Sequence, residues 1–461
     1  MQLKGFFGTK DFYKKVIMLT LPIMIQNGIT QFVNMLDNLM VGRVGTPEMS
    51  GVSISNQLIF VFNLCVFGAL SGAGIFGAQF FGNGNTEGVR NTFRFKLVFS
   101  VIISVFGIVF FYFLADPLIS AFLTGEGKPE EIEATFRFGK EYLMIMLIGF
   151  LPFTLSQSFA STLRETGKAI SPMVTSVMAV AVNLVFNYIL IFGHFGAPKL
   201  GVAGAAIATV ISRYVELIAI VFWSVKTRAK NQFMIGAFKS LKIPMELVKS
   251  IIKKGMPLML SETLWSGGMA MLNQCFSVRD YAVVPATNIS STFFNLFSVT
   301  IIALSSAIGI LMGQQLGAGE TKTAMANAKK LIVFATIVGF FVGIIFAIAA
   351  IWIPYLYETG ENVRSLATIF MQILAIILPF DAAVTASYFI MRSGGKTLIT
   401  LLFDSGSMWC ISVLLAFVIS RFTDIPIVPF FAIVQFAYVI KAFIGIFIVK
   451  KGKWIENIVA T

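Results

Sequence analysis

Long apolar stretches alternate with short polar segments from one end of the chain to the other. About 20 apolar residues in an α-helix, which rises 1.5 Å per residue, cross the hydrocarbon core of a bilayer. Stretches of this length predict twelve membrane-spanning helices, near residues 15–41, 52–80, 93–115, 138–162, 172–192, 200–224, 252–278, 286–314, 331–357, 365–391, 398–420 and 426–449. The pattern therefore predicts an all-α polytopic membrane protein.

Individual residues of the first half of the chain recur in the second half at constant spacing. The residues repeated 235 positions later are Pro22, Gln79, Gly82 and Gly84, which return as Pro257, Gln314, Gly317 and Gly319. Those repeated 228 positions later are Gly167, Lys168 and Arg213, which return as Gly395, Lys396 and the cation Lys441. Duplicated sets of spanning helices are typical of secondary transporters, which handle substrate where the repeats meet.

A basic segment midway along the chain separates the two copies. Residues 226–251 carry several lysines and Arg228 against a single acid, Glu246. We predict an N-terminal six-helix lobe at 1–225, this segment as a basic cytoplasmic linker, and a C-terminal six-helix lobe at 252–461. Because six is an even number, both copies enter the membrane from the same side, and the two repeats are parallel.

Composition and charge agree with the helical pattern. The 461 residues are 57% hydrophobic and 12% charged, with a mean hydropathy of +0.85, which excludes a soluble globular protein. The cations of the outer loops are Arg43, Lys128, Arg137, Lys140, Lys199, Arg279, Arg364 and Arg421, and most others lie in the opposite segments. This bias predicts that both termini lie in the cytoplasm. We expect the protein in the plasma or inner membrane. The net charge of +13 then reflects topology and anionic lipid, and it requires no nucleic-acid partner.

Five acids fall inside predicted spans: Asp37, Glu216, Glu262, Asp381 and Asp404. A carboxylate near the bilayer centre costs roughly 2.5–3.5 kcal/mol, so each one requires an explanation. For Asp37, Glu262 and Asp381 we favour a functional role, because ionisable groups inside membranes commonly mark ion or substrate pathways. The alternative is a buried, protonated or paired acid that only holds helices together.

The other two acids have a candidate cation nearby. Glu216 follows Arg213 by three residues, which favours an ion pair within one helix. Asp404 either pairs with Lys441 or lines the cavity. Inside the spans we place only these two cations.

Polar side chains recur at helical spacing around the three functional candidates. The stripes are Asn27, Thr30, Asn34 and Asp37 on the first helix, Glu262, Ser266 and Asn273 on the seventh, and Asp381, Thr385 and Tyr388 on the tenth. Such stripes face protein or water rather than lipid. We therefore take Asn34, Ser266, Asn273, Thr385 and Tyr388 as candidates for the substrate cavity.

Two further helices carry groups that suit a cluster around Asp37. Asn183 and Asn187 stand four residues apart on the fifth helix, and Thr209 lies on the sixth. Only the fold can bring them to Asp37. Amide, hydroxyl and carboxylate oxygens form the shell that Na⁺ or a relayed proton requires.

Other motifs carry less information. The stretch Gly82-Asn83-Gly84-Asn85 lacks the Lys-Ser/Thr of a phosphate-binding loop, so we interpret it as a tight turn. The single His194 cannot build a metal site. We find no paired nucleophile and base, and we expect neither enzymatic activity nor a cofactor.

Several local motifs occur in a characteristic order. They are Asp37-Asn38-Leu39-Met40-Val41-Gly42, Gln79-x-x-Gly82-x-Gly84 with its copy after the eighth helix, Pro152 followed by Arg164-x-x-Gly167, and Gly193 through Gly204 leading into Ala208-Thr209. With twelve spans in two parallel repeats, nearly the whole chain resembles the multidrug and toxic compound extrusion (MATE) family of cation-coupled antiporters.

The resemblance implies roles for individual residues. Asp37, Asn183, Asn187 and Thr209 match the first-lobe polar cluster that members use for cation coupling. Glu262 and Asp381 match the second-lobe acids of the NorM-like branch. Asn187 departs from the archaeal and DinF-like pattern, which has an aspartate there. The chain therefore looks NorM-like. The resemblance implies Na⁺ or H⁺ as the coupling ion. The one metal ion that it implies is Na⁺, bound at Asp37 or at Glu262 and Asp381.

The function implied is export of amphipathic, cationic organic compounds in exchange for inward Na⁺ or H⁺, by a monomer embedded in the lipid bilayer. One alternative is a lipid-linked oligosaccharide flippase of the same superfamily, which would need several cations around a pyrophosphate. Another is an intramembrane enzyme, which would need a nucleophile with its base or a metal cluster. Three interior carboxylates favour the export of cations.

Overall fold

The computed structural model describes residues 8–123, 128–279, 282–357 and 359–460. The side chains of Asn38 and Leu39, which belong to the first-helix motif, lie outside the described residues. Within these ranges the chain is helical and contains no β-strand. The predicted all-α class is confirmed.

The long helices follow one another with short connections. They are α1 (Lys10–Gly42), α2 (Thr46–Gly82), α3 (Thr86–Ser120), α4 (Pro129–Ile148), α5 (Phe150–Glu165), α6 (Ile170–Phe192), α7 (Val202–Lys226), α8 (Met245–Ser277), α9 (Val283–Gly317), α10 (Thr321–Ala349), α11 (Glu361–Ser393), α12 (Thr397–Phe422) and α13 (Ile427–Lys451). Short 3₁₀ turns lie at His194–Gly196, Gln232–Met234 and Ile353–Leu356.

Ten of these helices are long and apolar enough to cross a membrane, and α4 with α5 makes an eleventh span. The remaining long helix, α8, has 33 residues and corresponds to the seventh predicted span. Its hydropathy is lower because Glu262 lies among serine, glycine and asparagine residues. The helices thus follow the order of the twelve predicted spans, since the length of an apolar run sets the length of a spanning helix.

The fourth predicted span is broken at Gly149, where α4 and α5 meet at an angle of 50°. Pro152 lies in the first turn of α5 and has no N–H to donate to the carbonyl of Ile148. The hydroxyl of Tyr214 lies 3.5 Å from that carbonyl, and Nη1 of Arg213 donates to the Gly149 carbonyl at 3.3 Å. Side chains of α7 therefore satisfy the backbone groups that the bend exposes.

Contacts divide the described residues into two compact units. The N-terminal unit consists of Ile25–Gly77 and Asn85–Ile251. The C-terminal unit consists of Met1–Met24, Ala78–Gly84 and Ile252–Thr461, as far as these are described. The start of α1 and the end of α2 therefore group with the second half of the chain. The division into lobes at 1–225 and 252–461 stays a prediction.

In the N-terminal unit, small hydroxyl side chains join α3 to α5. The hydroxyls of Ser104 and Thr154 lie 2.7 Å apart, and those of Ser100 and Ser158 are also separated by 2.7 Å. All four residues are buried. Small side chains let the two helices approach closely, and their hydroxyls supply hydrogen bonds where lipid offers none.

An ion pair that the sequence did not indicate extends this contact. Lys96 of α3 is fully buried, and its ammonium lies 2.6 Å from the carboxylate of Glu165 at the end of α5. The hydroxyl of Thr162 accepts from the same ammonium at 3.2 Å. Gly74 and Gly77 of α2 face the carboxylate so closely that a Cβ on either would crowd it. A third interior cation thus exists beside Arg213 and Lys441, contrary to our expectation of two.

In the C-terminal unit, the two copies of the Gln-x-x-Gly-x-Gly motif cross each other. A Cβ on Gly82 would overlap the carbonyl of Gln314, and a Cβ on Gly317 would overlap the carbonyl of Gln79. Each copy therefore needs its own glycine so that the backbone of the other can approach. Gly84 has φ +71° in the turn that follows, which agrees with the predicted tight turn.

The segment after α13 packs into the same unit. The side chain of Trp454 is fully buried, and its Nε1 donates to the carbonyl of Val449 at 3.0 Å. Gln79 at the end of α2 donates to the carbonyl of Glu456 at 3.1 Å and accepts from the amide of Ile458 at 2.9 Å. One glutamine side chain of the repeated motif thus holds the backbone of the C-terminal segment.

Candidate functional site

A polar cluster forms in the N-terminal unit around Asp37 of α1. Nδ2 of Asn187 donates to Oδ1 of Asp37 at 2.6 Å and lies 3.0 Å from Oδ1 of Asn183. Nδ2 of Asn183 lies 3.2 Å from the hydroxyl of Thr209. The structure thus joins the four residues that the sequence assigned to this cluster. Their role in cation coupling stays a prediction.

Close packing of α6 against α7 makes the cluster possible. Gly204 of α7 faces the backbone of α6, where an added Cβ would lie 2.6 Å from the carbonyl oxygen of Leu190. Because only glycine fits at this point, α7 approaches α6 closely enough for Thr209 to reach Asn183. Asn183 and Asn187, one helical turn apart, then present both amides on the same face of α6.

The arrangement leaves oxygen atoms available beside a carboxylate. Oδ1 of Asn187 is buried and accepts no hydrogen bond from the protein. With the Asn183 amide turned over, its nitrogen would lie 3.1 and 3.3 Å from the two carboxylate oxygens of Asp37, and its oxygen would accept from Thr209. A carboxylate that is half-buried and contacted by neutral amides can take up either a proton or a monovalent cation.

Tyr142 of α4 is a further neighbour of this cluster. Its side chain is buried, hydrogen-bonds the side chain of Asn56, and lies within electrostatic reach of both Asp37 and Arg213. The sequence did not point to Tyr142, because a tyrosine in an apolar run reads as a packing residue. Its spacing within α4 carries no sign of a neighbour on α1.

The C-terminal unit contains a second group of charged side chains. The hydroxyl of Tyr388 on α11 donates to Oε1 of Glu262 on α8 at 3.3 Å. Asp404 of α12 lies 2.7 Å from the ammonium of Lys441 on α13, which confirms the ion pair that the sequence left as one of two alternatives. Asp381 is half-buried and within electrostatic reach of both members of that pair.

The remaining cavity candidates lie apart from the acids. Asn34 and Asn273 are exposed, and Ser266 and Thr385 are half-buried. Among the described residues, none of these four forms a hydrogen bond with Asp37, Glu262 or Asp381. Tyr388 is the one cavity candidate that the structure brings to an acid. That these residues line a substrate cavity stays a prediction.

Arg213 and Glu216, the pair expected within one helix, lie within electrostatic reach of each other but do not form a salt bridge at contact distance. The guanidinium of Arg213 instead lies over the ring of Phe153 at 4.9 Å and donates to the carbonyl of Gly149. The side chain of Glu216 hydrogen-bonds with Ser176. The bend between α4 and α5 explains the difference, because it offers the guanidinium a carbonyl and an aromatic face on a neighbouring element.

A site for a resident metal ion would need several His, Cys, Asp or Glu side chains close together. The described part of the chain contains no group of three or more His, Cys, Asp or Glu residues that could hold a metal ion. A transported Na⁺ differs from such a resident metal, because carbonyl, amide and hydroxyl oxygens can serve as its ligands. The oxygen atoms around Asp37 are of this kind.

Known proteins are similar to this chain along almost its whole length. A "Probable multidrug resistance protein NorM" of Thermotoga maritima is 25% identical over 449 residues, covering 97% of this chain and 94% of that protein. A protein of the same name from Bacillus licheniformis is 26% identical over 420 residues, covering 90% of this chain and 91% of that protein.

Solved structures share the fold. An outward-facing multidrug resistance MATE family transporter of the MOP superfamily superposes with a TM-score of 0.86 at 19% identity, covering 95% of this chain and 96% of that one. A MATE transporter of Vibrio cholerae gives a TM-score of 0.84 at 18% identity, with the same coverage. The sequence profile of the MatE family matches residues 22–189 and 257–418, one stretch in each half. The chain therefore belongs to the MatE family, the family of multidrug and toxic compound extrusion transporters.

Proposed function

We propose that this protein is a cation-coupled multidrug antiporter, which exports amphipathic, cationic organic compounds in exchange for inward Na⁺ or H⁺. It would act as a monomer in the plasma or inner membrane with both termini cytoplasmic. The observation that carries the proposal is the position of Asp37, where the amides of Asn187 and Asn183 and the hydroxyl of Thr209 gather around a membrane-embedded carboxylate.

A carboxylate in this setting suits coupling for a physical reason. Ionised, it is costly inside a membrane, and uptake of a proton or Na⁺ removes much of that cost. The bound ion can shift the protein between two conformations only as far as it prefers one of them. The cluster draws on α1, α6 and α7, so any conformational change that moves these helices against one another alters the affinity for the ion.

The relatives support the choice of substrate class. Those named above are called multidrug resistance proteins, and the outward-facing structure belongs to a multidrug resistance transporter. Interior acids also suit substrates of positive charge, because a carboxylate attracts an organic cation in a low-dielectric setting.

The flippase alternative fits the interior cations less well. Lys96 and Lys441 each lie 2.7 Å or less from a carboxylate, and Arg213 contacts a carbonyl and an aromatic ring. A pyrophosphate would have to displace these partners. A flippase would instead present cations that are free to receive it.

Transport into or out of liposomes tests the proposal. We expect purified protein in liposomes to drive efflux of the cationic dye ethidium under an inward Na⁺ gradient, an inward H⁺ gradient or both, and to do nothing without a gradient. Comparing the two gradients identifies the coupling ion. Absence of dye movement under both gradients would reject the antiporter and favour the flippase.

A further inference from the structure

The ammonium of Lys441 occupies a built environment in the C-terminal unit. It lies 2.7 Å from Oδ1 of Asp404 and 3.3 Å from the carbonyl oxygen of the same residue. The rings of Phe403 and Tyr438 lie on its other sides, with centroids at 5.5 and 5.8 Å. The side chain of Lys441 is 9% exposed, so the ammonium has given up most of its water.

These partners are the groups with which proteins bind organic ammonium ions. A carboxylate supplies the opposite charge, a carbonyl accepts an N–H, and aromatic faces attract a cation that has lost its hydration. The surroundings of Lys441 therefore have the composition of a ligand site, with an amino group of the protein itself as the occupant.

The backbone of α12 departs from regular α-helical geometry near Asp404. Two π-helical segments, Leu402–Gly406 and Met408–Val413, follow each other in the middle of the helix. Such widened turns are rare and frequently occur at functional sites. Here the first one contains Asp404, whose carbonyl and carboxylate both face Lys441.

The second oxygen of Asp404 is held only weakly. Oγ of Ser261 on α8 lies 3.4 Å from Oδ2, and the same hydroxyl is 3.0 Å from Oγ of Ser405. A crevice between α12 and α13, whose lining includes Met408, Tyr438 and Lys441, lies beside the lysine and is too narrow to admit a water molecule, so a substrate could enter only after the lysine side chain had moved. A methionine and an aromatic ring can adapt to apolar groups of varied shape.

We propose that Lys441 is a tethered occupant of an organic-ammonium site in the C-terminal unit, and that it competes with cationic substrate for Asp404. The proposal rests on the proposed export of organic cations and adds the residue that limits their affinity. Substrate that enters this unit must displace the lysine ammonium from the carboxylate. Weak binding is useful to an exporter, because a substrate that is held too tightly is not released.

Binding of ethidium to the purified protein in detergent tests the idea without any transport step. Lys441→Met keeps most of the side-chain volume and removes the competing charge. We expect this variant to bind ethidium about tenfold more tightly than the wild type, the change that corresponds to about 1.4 kcal/mol. Lys441→Ala should also bind ethidium more tightly than the wild type. This second variant serves if Lys441→Met does not fold, because the smaller side chain leaves room for water around Asp404.

Three controls separate competition from a structural role. Lys441→Arg keeps the positive charge and should bind ethidium like the wild type. Lys450→Met makes the same change at an exposed position of α13 and should have no effect. In the double variant Lys441→Met with Asp404→Asn, the gain should disappear, because the carboxylate that receives the dye is gone.

The outcomes are distinct. Unchanged ethidium affinity in folded Lys441→Met and Lys441→Ala, or a gain that persists in the double variant, would overturn the proposal. Titration of the same variants with NaCl in place of ethidium tests whether the site binds an inorganic cation. A gain for Na⁺ without a gain for the dye would assign the pair to inorganic cations and reject the organic-ammonium site. Failure of wild-type efflux in liposomes would reject the antiporter alone, since the binding gain does not depend on it.

Discussion

At the scale of single residues, Asp37 gains its chemistry from other helices. The sequence places a carboxylate inside a span and two asparagines one turn apart on another. The structure adds the 2.6 Å contact between Asn187 and Asp37 and leaves Oδ1 of Asn187 without a hydrogen bond from the protein. The acid could be found from sequence because it is costly in a membrane, whereas its partners depend on packing at Gly204.

Asp37→Asn should abolish coupling and leave the fold intact. The substitution keeps the shape and removes the group that takes up a proton or Na⁺. Gradient-driven ethidium efflux from liposomes should fall to about the rate of liposomes without protein. Asp11→Asn, the same change at an exposed position of α1, should retain wild-type efflux. Wild-type efflux by folded Asp37→Asn would exclude this residue from the coupling mechanism.

Lys96 and Glu165 form the ion pair whose loss should be most costly. Lys96→Met removes the ammonium that lies 2.6 Å from the buried Glu165 carboxylate, and breaking a buried pair in this way costs about 3–5 kcal/mol. We expect a large drop in the apparent melting temperature in detergent, partly recovered in the double variant Lys96→Met with Glu165→Gln.

Lys140→Met is the matched control, because the pair between Lys140 and Asp116 is 42% and 56% exposed. It should change the melting temperature little, since exposed pairs contribute little. Equal effects of Lys96→Met and Lys140→Met would contradict the importance that we assign to burial.

At the scale of elements, the repeated motif has a role that its sequence did not reveal. The sequence predicts a tight turn at Gly82-Asn83-Gly84-Asn85, and the structure has turns at Gly84 and at its copy Gly319, with φ of +71° and +77°. Gly82 and Gly317 are needed because α2 crosses α9 at this point, and each of the two glycines lies against the backbone of the other copy of the motif. A periodic pattern predicts where a helix lies, and it carries no information on which backbone approaches it.

Gly82→Ala and Gly317→Ala should each destabilise the protein. In both variants the new methyl group would overlap a backbone carbonyl, which cannot rotate away, and overpacking of this kind costs typically 1–3 kcal/mol. The apparent melting temperature should fall by several degrees. Gly28→Ala on α1, where a Cβ meets nothing within 4 Å, should be tolerated or slightly stabilising. A uniform response of the three variants would refute the crossing as the cause.

The segment after α13 should respond to acid through Glu456. Burial favours the protonated form of this carboxyl, but the hydrogen bond from Lys396 and the charges of Lys254 and Lys396 outweigh it and hold its pKa below the usual value of 4.5. A lowered pKa in the folded state stabilises the fold above the unfolded pKa. That stabilisation is lost as the pH falls through the folded pKa.

Glu456→Gln should therefore lower the melting temperature at pH 7, and the difference from wild type should shrink as the pH falls below about 4.5. Glu130→Gln, at an exposed position of α4, should track the wild type at every pH. A difference that stays constant down to the lowest pH would show that the carboxylate charge does not hold the segment.

At the scale of the whole molecule, the duplication is visible in the order of the long helices and in paired scaffold residues. The chemistry is distributed unevenly between the two units. The N-terminal unit surrounds one acid, Asp37, with neutral amides, whereas the C-terminal unit combines several acids with Lys441 and Tyr388. The same scaffold thus carries two different electrostatic environments. The proposed site for the coupling ion lies in the N-terminal unit, and the proposed ammonium site lies in the C-terminal unit.

The sequence by itself determined the membrane class, the order and approximate ends of the helices, the duplication and the unusual interior acids. Each of these depends on the hydrophobicity or spacing of residues that are neighbours in the chain. The tertiary structure alone decided which distant groups meet. Asn187 reaches Asp37 across 150 positions, Lys96 reaches Glu165 across 69, and Gln79 holds the backbone of Glu456 across 377. Such contacts depend on helix packing at glycines and bends, which the local pattern of a single sequence does not encode.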